Sequence, residues 1–174
     1  MSQRDKRFKG GIQKGTCATD AAAKKLDEQC KTLKEKLALE FPNLTMQRKL
    51  AQDQIPGGIG ACEPDGGVWL KDGKVVAVFE AKKQGTGGNA IERWFKNQYI
   101  CRSLNPEVSY VTFCSGEGAA RGSVLEKTLN IAHLDGFNQF VPNKNTCYLS
   151  VRGFSAKRIE QKMREVLEHA SLSA

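Results

Sequence analysis

The tightest constraint on how this chain can fold is a hairpin legible in residues 68–79. Val68-Trp69-Leu70 and Val75-Val76-Ala77-Val78-Phe79 are two β-rich runs separated by Lys71-Asp72-Gly73-Lys74. Asp-Gly between such runs is a strong short hairpin signal. Pro64-Asp65 stands at the start of the first strand and Glu80-Ala81-Lys82 at the end of the second. Returning the chain therefore brings two carboxylates together. Strand side chains alternate with period two, so Lys82 shares a face with Glu80.

Two acids and an ammonium converging on one point suit phosphodiester chemistry. The substrate is an anion and its leaving alkoxide is poor, so hydrolysis needs charge neutralisation, an activated water and in-line placement. A hard cation such as Mg²⁺ takes one or two carboxylates and completes its shell with water and phosphate oxygens. The order PD…ExK is that of metal-dependent nucleases. Alone, it fits a solvated hairpin with charged tips equally well.

Directly downstream stands Gln84-Gly85-Thr86-Gly87-Gly88-Asn89-Ala90-Ile91-Glu92-Arg93, followed by Lys96-Asn97. The words PDGG, EAKxQG and GNAIER, in this order, resemble the EcoRI family of type II restriction endonucleases. The likeness is close over residues 64–97. It extends weakly back to Glu40-Phe41-Pro42-Asn43-Leu44 and forward to Tyr110-Val111-Thr112-Phe113. The N-terminal arm and the last third of the chain carry no match.

The resemblance implies an α/β fold with a central mixed five-stranded sheet flanked by helices, the PD-(D/E)xK arrangement. It implies that Asp65 and Glu80 hold Mg²⁺, with the Ala81 carbonyl as a further ligand. Lys82 would contact the scissile phosphate and the attacking water, as general base or as electrostatic clamp. Gln84 would bond substrate or water, and the products would carry 5′-phosphate and 3′-hydroxyl ends. Glu63, beside Pro64, reads as solvated rather than ligating.

For specificity, Asn pairs bidentately with adenine and Arg bonds purine acceptors in the major groove. By the resemblance, Asn89, Ala90 and Arg93 read a central AATT of double-stranded DNA. Gly88 admits the backbone to the base edges, and Glu92 buttresses an arginine across a homodimer. Lys96 is a phosphate contact. The bland alternative is a glycine-linked, Asn-capped helix with an exposed Glu-Arg pair. The arginines that read the outer base pairs in the family's best-known member are not evident near residues 122–130. Arg121, Lys127 or Asn130 could compensate, or the outer pair is read loosely or not at all. A companion DNA methyltransferase acting on the same site is also implied. Two other functions stay open: a sequence-specific DNA-binding protein that does not cut, and a structure-specific repair nuclease.

The 174 residues suffice for one domain with a substantial core, and the net charge of +8 favours a polyanionic partner, though it also fits a merely soluble basic protein. Residues 1–16 hold Arg4, Lys6, Arg7, Lys9 and Lys14, a basic arm along DNA or a plain disordered terminus. No apolar run approaches a membrane span and no signal-peptide core is evident, so no membrane partner and a cytoplasmic location are expected. The 6 cysteines are scattered without a Cys-x-x-Cys, and there are only 2 histidines. That argues against a zinc module and against a secreted disulfide framework, and makes most of the cysteines reduced core residues.

Elsewhere the patterning predicts a helix from Thr19 or Asp20 to Glu40, stopped by Phe41-Pro42, with Leu26, Cys30, Leu33 and Leu37 inward. It predicts an edge strand near 44–49, a loop over 51–63 and a helix from about Asn89 to Leu104. A buried strand over Val108–Cys114 follows, then a glycine-containing loop over Ser115–Ser123 and a helix from Val124 to about His133. A short strand at Tyr148–Val151 precedes a final helix opened by Ser155 and running to His169.

Overall fold

Asp72 and Gly73 both hold positive φ, 51° and 76°, so the predicted turn is the tight two-residue connection that matches strand twist. The computed structural model describes residues 16–50, 63–83, 107–127 and 146–172. In chain order these form α1 (Thr16–Glu40), β1 (Thr45–Gln47), β2 (Val68–Lys71), β3 (Lys74–Lys83), β4 (Ser109–Ser115), β5 (Thr146–Ser150) and α2 (Ala156–Leu172). A 3-10 turn, Glu117–Ala119, follows β4.

The strands lie in one sheet in the order β1-β2-β3-β4-β5. β1 pairs with β2 and β2 with β3 antiparallel, whereas β3–β4 and β4–β5 are parallel. The sheet is therefore mixed, and β3 is the seam between its two halves. Helices flank it, as the sequence led us to expect of an α/β fold.

Alternation along β3 and β4 sorts the two faces. Ala77, Phe79, Ala81, Val111 and Phe113 join Leu26, Cys30, Leu33 and Leu37 of α1 and Ile159, Met163, Val166 and Leu167 of α2 in one buried cluster. Burying each large side chain of this set contributes about 1.5–3 kcal/mol. On the other face Cys114 packs with Ala119, Leu125, Cys147 and Leu149. Leu125 belongs to the helical residues 124–127, so helical structure meets both faces.

Contacts at the helix ends have clear causes. Lys71 of β2 donates to the Ser171 carbonyl at 3.0 Å, placing a cation where carbonyls at the end of α2 lack helical partners. At the other end, Ser155 Oγ accepts the Arg158 N–H at 3.3 Å, the N-cap expected of a serine there. Ser155→Ala is expected to lower the stability by about 1 kcal/mol. An unchanged urea midpoint would contradict that assignment.

Some boundaries differ from expectation. α1 begins at Thr16, because Gly15 is the nearest breaker and nothing between Thr16 and Asp20 opposes helix. α2 runs past His169 to Leu172, and β4 covers Ser109–Ser115 rather than Val108–Cys114. Val151 falls in the turn after β5. The basic arm (1–15), the loop over 51–62, the helix expected from Asn89 to Leu104 and the stretch 128–133 lie outside the described residues.

Candidate active site

The PDGG word has a geometric reason. Gly66 N–H donates to the Phe79 carbonyl at 2.9 Å and Phe79 N–H donates to the Gly67 carbonyl at 3.3 Å, so this turn lies directly on β3. A Cβ on Gly66 would sit 2.5 Å from the Phe79 Cβ. Gly67 adopts φ +81°, a left-handed conformation that costs a side-chain-bearing residue about 1–2 kcal/mol. Trp69 closes the turn by donating from Nε1 to the Gly66 carbonyl at 3.0 Å. Together these contacts set Asp65 beside the end of β3.

The two carboxylates meet through each other's backbone. Asp65 N–H donates to Glu80 Oε2 at 3.3 Å, and Ala81 N–H donates to Asp65 Oδ2 at 3.4 Å. Lys82 Nζ donates to Glu80 Oε1 and forms an ion pair with it. The N–H and C=O of one strand residue lie on the same edge, so the Ala81 carbonyl faces Asp65 as its N–H does. The structure thus brings together Asp65, Glu80, Ala81 and Lys82.

Glu80 is 4 % exposed, and burial pushes its carboxyl above the usual range; Lys82 opposes the shift and Asp65 adds to it. A buried carboxylate facing a second carboxylate with one ammonium at hand is short of positive charge. That deficit, and an all-oxygen donor set, fit a hard divalent cation. Among the described residues there is no group of three His, Cys, Asp or Glu able to hold a metal. Two carboxylates and a carbonyl suit Mg²⁺, which keeps several waters, better than zinc.

Three neighbours were not singled out from the sequence. Thr112 is the register partner of Glu80 on β4, and its Oγ1 is buried without a hydrogen-bond partner. Only the pairing of β4 with β3 reveals it. Asp27 of α1 has its carboxyl pushed up by burial first and by Asp65 next, against Lys31 and Lys82. Cys30, one helical turn on, has its thiol pushed up to about 12 by burial and by the charges of Asp65, Asp27 and Glu80. Such a thiol stays protonated and is no nucleophile at neutral pH.

Glu63 is half-exposed and pairs with Arg48 at 2.6 Å, which holds its carboxyl below the usual range. It lies on the surface, as expected, but with a partner. Arg121 is exposed on the turn after Ala119. Gln84, Gly88, Asn89, Ala90, Glu92, Arg93 and Lys96 lie outside the described residues. No helix among the described residues is long and apolar enough to cross a membrane. Comparison of the chain with protein-family models, with curated proteins and with solved structures found no match.

Proposed function

We propose that this chain is a Mg²⁺-dependent type II restriction endonuclease with a PD-(D/E)xK fold. In this reading it hydrolyses double-stranded DNA at a palindrome centred on AATT, leaving 5′-phosphate ends and 5′ overhangs. One observation carries the proposal: Asp65 and Glu80 are tied together through backbone N–H groups at the end of a strand that also presents Lys82. A sheet with an antiparallel and a parallel half agrees with it.

Asp65, Glu80 and the Ala81 carbonyl would hold the cation. When bound, it supplies Lewis-acid neutralisation of phosphate charge and a more acidic water. The residues do the rest. The Ala81 N–H of β3 fixes the Asp65 carboxylate and the Asp65 N–H fixes that of Glu80, so little reorganisation is needed on binding. Lys82, already paired with Glu80, contacts the scissile phosphate and the attacking water, as general base or as electrostatic clamp. Base reading falls to Asn89, Ala90 and Arg93, with Gly88 and Glu92 as support and with Gln84, Lys96 and Arg121 as further DNA contacts. Cutting both strands of a palindrome at equivalent positions is most simply done by a C₂ homodimer. A methyltransferase of the same specificity would protect the host DNA.

The test is digestion of a randomised duplex library with purified protein and Mg²⁺, followed by sequencing of the ends. Ends confined to AATT support the whole reading. Ends at other sequences keep the hydrolase and discard the specificity, and shifted but intact DNA reduces the protein to a binding module. With AATT ends in hand, Asn89→Ala is expected to cost about 1–3 kcal/mol of discrimination while sparing nonspecific affinity.

A further inference from the structure

A groove runs up to Asp65, and apart from Asp65 its lining has no part in the chemistry above. It has a volume of about 600 Å³, and its charged lining is Lys31, Lys34 and Glu35 of α1, Arg48 just after β1, and Glu63 and Asp65. Its three cations and three carboxylates balance formally, but they are paired only in part. Arg48 and Glu63 satisfy each other at 2.6 Å, and Glu35 is exposed to solvent. Lys34 is only 8 % exposed, and among the described residues it makes no hydrogen bond or ion pair, although its charge acts on Glu63. Its Nζ is not among the fully buried atoms that lack a partner, so the stem is buried while the ammonium reaches the groove. Lys31, three residues earlier and so on the same side of the helix, is exposed along the same groove.

We propose that this groove is a phosphate track for a polynucleotide strand running to Asp65, with Lys31 and Lys34 as its cationic contacts. The proposal rests on the nuclease reading for its choice of ligand. An anion lying in the groove would meet the Lys34 ammonium, and one with several charges would engage Lys31 as well. The track opens at Asp65, so a strand lying in it delivers its next phosphate to the Asp65–Glu80–Lys82 group. Recognition here is of backbone charge and is independent of sequence.

The experiment is fluorescence anisotropy of full-length protein on a mixed-sequence DNA duplex, without divalent cation, over a series of salt concentrations. Each lost phosphate contact reduces the slope of log K against log salt by about 0.9. Lys31→Gln is expected to lose about 0.9 of slope and Lys31→Gln/Lys34→Gln about 1.8. Lys34→Arg is expected to retain the wild-type slope, and Lys74→Gln, at the far end of β3, leaves it unchanged. Lys31 is exposed, so its single variant tests the track even where loss of Lys34 impairs folding. Wild-type slopes in the Lys31 variant and in a folded double variant overturn the track.

The two readings fail separately. Cleavage by wild type together with unaltered slopes keeps the nuclease and removes the track. Reduced slopes in the groove variants, with no Mg²⁺-dependent cleavage by any protein, keep the track and remove the nuclease. A wild type that binds no DNA at all overturns the track as well.

Discussion

Glu80→Gln is expected to abolish Mg²⁺-dependent cleavage while making the metal-free protein more stable at neutral pH. The first effect follows from loss of an anionic ligand. Lewis-acid stabilisation is worth several kcal/mol. At about 1.36 kcal/mol per decade, its loss slows the reaction by about 10³-fold or more. The second effect follows from the raised Glu80 carboxyl, whose ordinary value is 4.5. Between that value and the raised one, the folded protein binds more protons than the unfolded chain. Stability therefore falls as pH rises through this window, and above it the ionised side chain is a net burden that Gln relieves. Thermal melts across pH should show the wild type losing stability above 4.5 relative to Glu80→Gln. Adding Mg²⁺ should raise the wild-type midpoint and leave the variant's unmoved. Full turnover by Glu80→Gln would sink the assignment of the site. A midpoint below wild type in metal-free buffer at neutral pH would contradict the electrostatic account.

Gly66→Ala is expected to damage both the fold and the reaction, although it adds one methyl group outside the charged set. The new Cβ would lie 2.5 Å from the Phe79 Cβ and 3.2 Å from the Phe79 carbonyl oxygen, and neither atom is the free end of a flexible chain. The turn must lift off β3. Overpacking of this kind costs about 1–3 kcal/mol. At about 2–4 °C per kcal/mol for a chain of this size, the melting midpoint should drop measurably. Asp65 is the adjacent residue, and its bonds to Glu80 and Ala81 depend on that turn. A misplacement near 1 Å can cost about 10²-fold in rate. Single-turnover cleavage at saturating Mg²⁺ and DNA separates this from weak binding. Wild-type turnover by a stably folded Gly66→Ala would show that the turn does not position Asp65.

What could be read in advance was local. The Asp72-Gly73 turn, the cap at Ser155 and the apolar stripe of α1 each depend on a few neighbouring residues, and each appears where expected. So does the meeting of Asp65 with Glu80, because one hairpin determines it. The start of α1 was misplaced, since Thr19 and Asp20 are good caps yet lie within a stretch that nothing interrupts after Gly15. Thr112 was invisible because it reaches Glu80 only through pairing of strands far apart in the chain. Lys34 lies outside the Leu26, Cys30, Leu33 and Leu37 stripe of α1. Its burial depends on how α1 lies near β1 and the chain around Pro64, which no helical periodicity encodes.

The seam at β3 has an architectural consequence. β3, β4 and β5 run in the same direction, so their carboxyl ends share one rim of the sheet. Glu80 and Lys82 stand at that rim, and the long connections after Lys83 and Ser115 depart from it. The hairpin and the bonds between Asp65 and the end of β3 are made by residues 64–83 alone. The acidic pair is thus assembled by one short stretch of chain, at the rim from which the two connections leave.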